Sequence, residues 1–320
     1  MKSPSPLFLM ASFLSAIRKT ILPSAAASTD LHQQPFTFAA NTSSASMPRA
    51  PVVCVSHGGG PMPILGDPEH ADFVKSMREK VPDILKLGTA EQPRAIVLVT
   101  AHWSERNPTI SSGLKHSLLY DYYGFPPESY KLKYDAPGAP DVAREVAEAL
   151  RSEGLRPDLD EDRGWDHGVF VPMLLINPKA DVPIVQMSVM RSENPADHFR
   201  MGRALSKLRD SNVAIVGSGF PTLHNLRVMF SGLTNDPSFR SRSNAWSKAV
   251  NAAVKEQDPE ERQKKLEGWR SFPGAYEMHP RGGAEHFLPL IVCAGAAGEG
   301  KLRTYTDKFM GLEMYSYYWN

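Results

Sequence analysis

The stretch Val52-Val53-Cys54-Val55-Ser56-His57-Gly58-Gly59-Gly60-Pro61 governs how the rest of the chain is read. An apolar, β-branched run ends in Ser-His, and three glycines and a proline follow at once. The run predicts a buried strand. The glycines remove side chains where the backbone must turn sharply or let a ligand come close. His57 then stands at the mouth of a strand, where open α/β sheets bind their ligands. A satisfied histidine at an ordinary turn fits this stretch equally well, so the remainder of the chain has to separate the two readings.

The 320 residues suffice for one large domain or two small ones, and the formal net charge of +1 gives no general attraction to nucleic acid or an anionic membrane. No segment has the apolar length of a transmembrane helix. The two cysteines, Cys54 and Cys293, lie in apolar runs without a CxxC partner. They read as small buried hydrophobes, which suits a reducing compartment. Residues 1–50 differ in kind. They are rich in Ser, Ala and Pro, and Asp30 is their only acidic residue, against Lys2, Arg18, Lys19 and Arg49. That composition suits a flexible, non-catalytic extension, with an organelle transit peptide (mitochondrion or plastid) as the alternative. A secretory signal fits poorly, because serines interrupt the apolar stretch and Arg18-Lys19 closes it. Met47 would make a natural start for the globular part, residues 51–320, for which a cytoplasmic location is expected.

Strand and helix patterns alternate through that part. Residues 68–87 read as a helix, bent or divided by Pro82. Residues 94–100 form a second apolar strand, ended by Ala101-His102-Trp103. A short strand is expected at 108–112, and an aromatic, turn-rich loop at 120–128. A helix follows at 139–152, with Gly154 as its C-cap. His167 is read as lying in a loop, strands at 182–189 and 212–217, and a helix at 195–210 beginning on Pro195. His224 falls in the loop after the second of these strands. Helices are expected at 244–257 and 259–269, and an apolar helix at 287–297 with His286 in its first turn. Two closing strands occupy 302–310 and 312–319. The alternation implies an α/β fold: an αβα sandwich around a central, mostly parallel or mixed sheet.

Ten histidines occur. His32 lies in the extension. His70, His116 and His198 have polar neighbours and read as solvated, and His279 as a structural residue or a support for one of the site residues. Five remain: His57, His102, His167, His224 and His286. Four are expected at strand exits or in the following loops and one at a helix start, positions that such a fold gathers on one sheet edge. Neutral imidazoles converging on one point suit Zn, Fe, Ni or Cu, so a metal site at the strand ends is inferred. Asp166 and Glu285 directly precede candidate histidines and could orient them. There is no HExxH, phosphate loop, nucleophile elbow or dinucleotide fingerprint. Gly217-Ser218-Gly219 does not fit the pattern around a nucleophilic serine.

The segments SHGGGP at 56–61, TAHWSE at 100–105, YYGFPPESY at 122–130, GWDHGVFVPM at 164–173, LHNL at 223–226 and EHFLPLIVCAGAAG at 285–298 resemble the class III extradiol ring-cleavage dioxygenases (LigB-like). Within that family they look most like the 4,5-DOPA extradiol dioxygenase branch. The resemblance covers nearly all of 51–320. It implies a non-haem metal held by His57, His102 and His286. His224 would be a fourth metal ligand or the catalytic acid/base, and His167 a pocket residue that handles substrate or protons. Fe(II) is the metal expected for catalysis, and Zn(II) suits the same histidines. The implied partners are a small catechol, such as L-DOPA, and O₂. Tyr122, Tyr123 and Phe125 are assigned from composition to a slot for the ring. Phe220-Pro221-Thr222 and the Arg281-Gly282-Gly283-Ala284 insert depart from the family pattern and would reshape the pocket. A zinc hydrolase on the same fold and a non-catalytic binding protein are the rival readings.

Overall fold

A computed structural model describes residues 49–320. The extension or transit peptide expected at 1–50, and Met47 as a start, therefore lie almost wholly outside the described residues.

Eight strands form one sheet: β1 (Val52–Ser56), β2 (Ala95–Glu105), β3 (Thr109–Ser111), β4 (Asp158–Asp160), β5 (Ile184–Met190), β6 (Val213–Gly219), β7 (Leu302–Phe309) and β8 (Leu312–Trp319). Their order is β4-β3-β5-β2-β6-β1-β8-β7. The central four, β5, β2, β6 and β1, run parallel to one another. At one edge β7 and β8 add an antiparallel hairpin, and at the other β3 runs antiparallel to β5. The sheet is thus mixed around a parallel centre, as the alternating pattern predicts.

Helices α1 (Met62–Leu65), α2 (Ala71–Ile84), α3 (Pro140–Ser152), α4 (His167–Ile176), α5 (Pro195–Ser206), α6 (Leu226–Ser231), α7 (Pro237–Val254), α8 (Pro259–Glu267), α9 (Ala275–Met278) and α10 (Leu288–Ala296) complete the fold. α2 packs on α4, and α10 on α5, so that the sheet is flanked by helices as an αβα sandwich. Covering both faces explains why β1 and β6 are buried at every position and read as unbroken apolar runs. The helices pressed on the sheet follow the same logic. α10 is buried along its whole length and α4 at all but one residue, whereas α3 shows a single apolar stripe, Val142, Val146 and Leu150. Two buried arginines close the end of α10. Arg209 donates to the carbonyls of Ala50, Ala296 and Ala297, and Arg262 to those of Ala294 and Gly298. They serve carbonyls that no helical N–H can reach.

Several boundaries differ from the sequence reading. A 3₁₀ turn over Pro68–His70 precedes α2, which runs through Pro82 and stops at Ile84. Pro82 sits in the last turn, where the missing N–H costs one bond and divides nothing. α7 begins earlier than expected, at Pro237, because Asp236 accepts from the Ser238 N–H and caps it. β4 is a largely exposed acidic triplet with no apolar alternation to announce it. Cys54 and Cys293 are buried free thiols. No helix among the described residues is long and apolar enough to cross a membrane.

Candidate metal centre

The five candidate histidines do meet, at the carboxyl ends of the parallel strands. His57 follows β1 directly, and its N–H donates to Gly219 O at 3.2 Å, across the pairing of β1 with β6. His102 is not past the end of its strand, as expected, but within β2. Thr100 pairs with Ser188 and Ser104 with Val189, so Ala101, His102 and Trp103 form a bulge that β5 does not match. The bulge satisfies its polar groups elsewhere: the His102 N–H donates to Thr100 Oγ1 and its carbonyl accepts from Arg163. His167 is the first residue of α4 rather than a loop residue, and Asp166 is its N-cap. His224 lies in the loop after β6, fixed by its N–H to Met278 O. His286 occupies the turn just before α10 rather than its first turn.

Ring-nitrogen partners settle the tautomers. Ser218 Oγ spends its only proton on Gly168 O, so at 3.0 Å it can only accept from His57 Nδ1. Glu285 Oε1 faces His286 Nδ1 at 2.9 Å, and Asp121 Oδ2 faces His102 Nδ1 at 3.4 Å. The hydrogen bonds put the proton on Nδ1 of His57 and His286, and the nearby carboxylate favours it on Nδ1 of His102, which leaves a lone pair on each Nε2. Those lone pairs converge. His102 Nε2 stands 3.1 Å from His57 Nε2 and 3.2 Å from His286 Nε2. Without a cation, the contacts are lone pair against lone pair. Two nitrogens bound at ~2.0–2.1 Å to one ion, with tetrahedral or octahedral angles, lie roughly 2.9–3.4 Å apart. The donor set and its spacing fit a divalent transition metal, with the outer carboxylates and hydroxyl in the supporting places such ligands need.

Asp121 also accepts from the His167 N–H and Nδ1, at 2.9 and 2.8 Å, so His167 too has a bare Nε2. The potential ligand atoms of His57, His102 and His167 lie within 4.8 Å of one another, as do those of His224, Glu285 and His286. The His224 ring is stacked on His286, with centroids 3.3 Å apart and planes 16° from parallel. Lone pairs in stacked planes run side by side and do not aim at one ion. Burial holds His57, His102 and His286 well below the usual imidazole range, helped by the neighbouring imidazoles. Burial, then His167, lowers His224 to about 4. All four are neutral near pH 7, as metal ligands or proton acceptors must be. Burial raises Glu285. It works against Asp121 as well, yet the hydrogen bonds from the His167 side chain and N–H keep that carboxyl below its ordinary value. Asp166 is fully buried and raised to about 6 by burial and by Asp121. It accepts from Thr100, Arg163 and Gln186, and so braces the β2 bulge and not the His167 ring.

Tyr122 is buried, donates its hydroxyl to Ser129 O, and meets the His167 ring edge-on at 5.8 Å. Phe125 packs edge-on against Tyr122 at 5.4 Å. Tyr123 is 92% exposed and stands outside this wall. His70 and His198, read as solvated, are buried: Gly59 N–H donates to His70, and Met190 N–H to His198. His279 is structural, donating to Pro221 O in the His224 loop. Asp121 and Ser218 had no signal of their own, because what marks them is a partner 46 or 161 residues away.

The family model for the catalytic LigB subunit of aromatic ring-opening dioxygenase matches residues 51–318. The chain is similar to Dioxygenase tasH of Hapsidospora irregularis, 53% identical over 282 residues, which are 86% of this chain and 87% of that protein. It is 31% identical to the 4,5-DOPA dioxygenase extradiol of Beta vulgaris, over 77% of this chain and 86% of that protein. The Escherichia coli (strain K12) protein of the same name is 34% identical, over 78% and 86%. A crystal structure of an uncharacterized protein from Escherichia coli K12 superposes with a TM-score of 0.65 at 29% identity, covering 85% of this chain and all of that one. The chain therefore belongs to the LigB family of extradiol-type dioxygenases, which are metal-dependent, non-haem enzymes.

Proposed function

We propose that the protein cleaves the ring of a catechol, L-DOPA or a related compound, beside its two hydroxyls. Both atoms of O₂ enter the product, a muconic semialdehyde, so no external reductant is consumed. The observation that carries this reading is the convergence of three bare Nε2 atoms at 3.1 and 3.2 Å. His57, His102 and His286 would hold the metal. Fe(II), when bound, supplies adjacent positions for the diol and O₂ and a route for charge from ring to oxygen.

The chain's own groups do the rest. Ser218, Asp121 and Glu285 keep the three ligands in the metal-ready tautomer. His224, whose stacking on His286 directs its lone pair away from a shared ion, takes a phenolic proton and later returns one. His167, with its proton committed to Asp121, offers a second acceptor beside the ring. Tyr122 and Phe125 wall the slot that orients the ring, while Tyr123 is left at the rim.

Metal-free protein reconstituted anaerobically with Fe(II), then given L-DOPA or catechol and air, should consume O₂ and turn yellow. Failure across a catechol panel would refute the reading. Hydrolysis of esters or amides by the Zn(II) form, with no need of O₂, would replace it with a hydrolase.

A further inference from the structure

His70 stands apart from the five-histidine cluster, yet it is only 5% exposed and lies between Phe73 and Phe309, with ring centroids 6.0 and 4.8 Å away. Its Nδ1 is 2.5 Å from Asp67 Oδ2, which fixes the proton there. The lone pair on Nε2 accepts the Gly59 N–H at 2.9 Å. Gly59 lies two residues beyond His57, between Gly58 (φ 88°) and Gly60 (φ 52°), both left-handed. This loop has no side chains to anchor it. A Cβ on Gly58 would fall 2.4 Å from Pro63 Cγ, and one on Gly60 3.0 Å from Phe125 Cζ. The Phe125 ring thus rests directly on the Gly60 backbone. Edge contacts continue from Phe125 to Tyr122 and from Tyr122 to His167. His57 itself is secured separately, by Gly219 and Ser218.

We propose that His70, oriented by Asp67, is a positioning residue that fixes the glycine loop after His57 and, through Phe125 and Tyr122, the wall of the substrate slot. It leaves metal affinity to the ligands and their own partners. The inference rests on a catechol as the occupant of that slot.

His70→Phe keeps a ring between Phe73 and Phe309 and removes the acceptor, whereas His70→Gln restores an acceptor oxygen. Amide exchange of peptides spanning 57–62 should be about tenfold faster in His70→Phe and return toward wild type in His70→Gln. Titrated anaerobically into the Zn(II)-loaded protein, 4-nitrocatechol should bind roughly tenfold more weakly to His70→Phe. Zn(II) affinity by chelator competition should stay within about twofold. If His70→Phe does not fold, Asp67→Ala, which frees the other tautomer, should shift exchange and 4-nitrocatechol binding in the same direction by about threefold. Unchanged exchange, a matching loss of Zn(II) affinity, or no rescue by His70→Gln would overturn the inference. If the wild-type protein binds no catechol, the functional reading falls, and faster loop exchange with unchanged Zn(II) affinity still decides the loop's anchoring.

Discussion

Ser218→Ala removes one buried oxygen and no charge, and its effect can be worked out from the tautomers. The hydroxyl gives its proton to Gly168 O and accepts from His57 Nδ1. In the metal-bound protein His57 must keep the proton on Nδ1, where the variant leaves it buried and unpaired. In the metal-free protein His57 can carry it on Nε2 instead and donate to His102 Nε2, 3.1 Å away. The penalty therefore falls on the bound form. An orphaned buried donor costs about 1–3 kcal/mol, equivalent to a loss of metal affinity of roughly 10- to 100-fold. Gly168 O loses its donor in both forms, for about 1 kcal/mol of stability and ~2–4 °C in Tm. Chelator competition on metal-free protein gives the affinity, and melts with and without metal give the stability terms. An affinity within about twofold of wild type, with both melts lowered equally, would refute the tautomer argument.

Asp307 is 4% exposed, accepts from Ser76 Oγ, and is raised to about 6 by burial. The folded chain therefore binds this proton more tightly than the unfolded chain does. The stability it confers is complete below pH ~4 and lost as the pH rises through 6. Asp307→Asn should be more stable than wild type by roughly 2 kcal/mol at pH 7 and about equal near pH 4, as read by urea unfolding. Arg209→Met leaves the buried carbonyls of Ala50 and Ala296 without a donor and that of Ala297 with only the Gly300 N–H, and should cost about 2 kcal/mol or more by the same assay. Tyr123→Ala should change KM for the catechol by less than about twofold, and Phe125→Ala should raise it about tenfold, in steady-state O₂ uptake.

The parallel centre of the sheet was legible because burial on both faces makes β1, β2 and β6 begin as apolar runs, and leaves β5 interrupted only by Gln186 and Ser188. His57 was legible for the same reason, since such a run ending in His-Gly-Gly-Gly marks where the strand stops. Other features depend on distant partners. The path of β2 through His102 could not be read from Ala101-His102-Trp103, because Thr100, Arg163 and Asp166 hold the bulge together. The start of α4 was hidden by Gly164, Gly168 and an internal Pro172, which read as loop. His70 and His198 have polar neighbours in sequence, yet each accepts a backbone N–H inside the fold. The start of α7 does carry a local signal, a capping aspartate followed by proline at 236–237.

The β2 bulge also sets which kinds of change this part of the chain can absorb. Between its pairings with Ser188 and Val189, β2 advances four residues while β5 advances one. An even step opposite an odd one breaks the usual alternation of faces, and the bulge absorbs the mismatch. The constraint on residues 101–103 is thus one of parity as well as chemistry. Replacing Ala101 or Trp103 leaves the count intact and His102 in phase with His57. Deleting Ala101 moves His102 one position closer to the Thr100 pairing and turns it toward the opposite face, even though every side chain around the metal centre is unchanged.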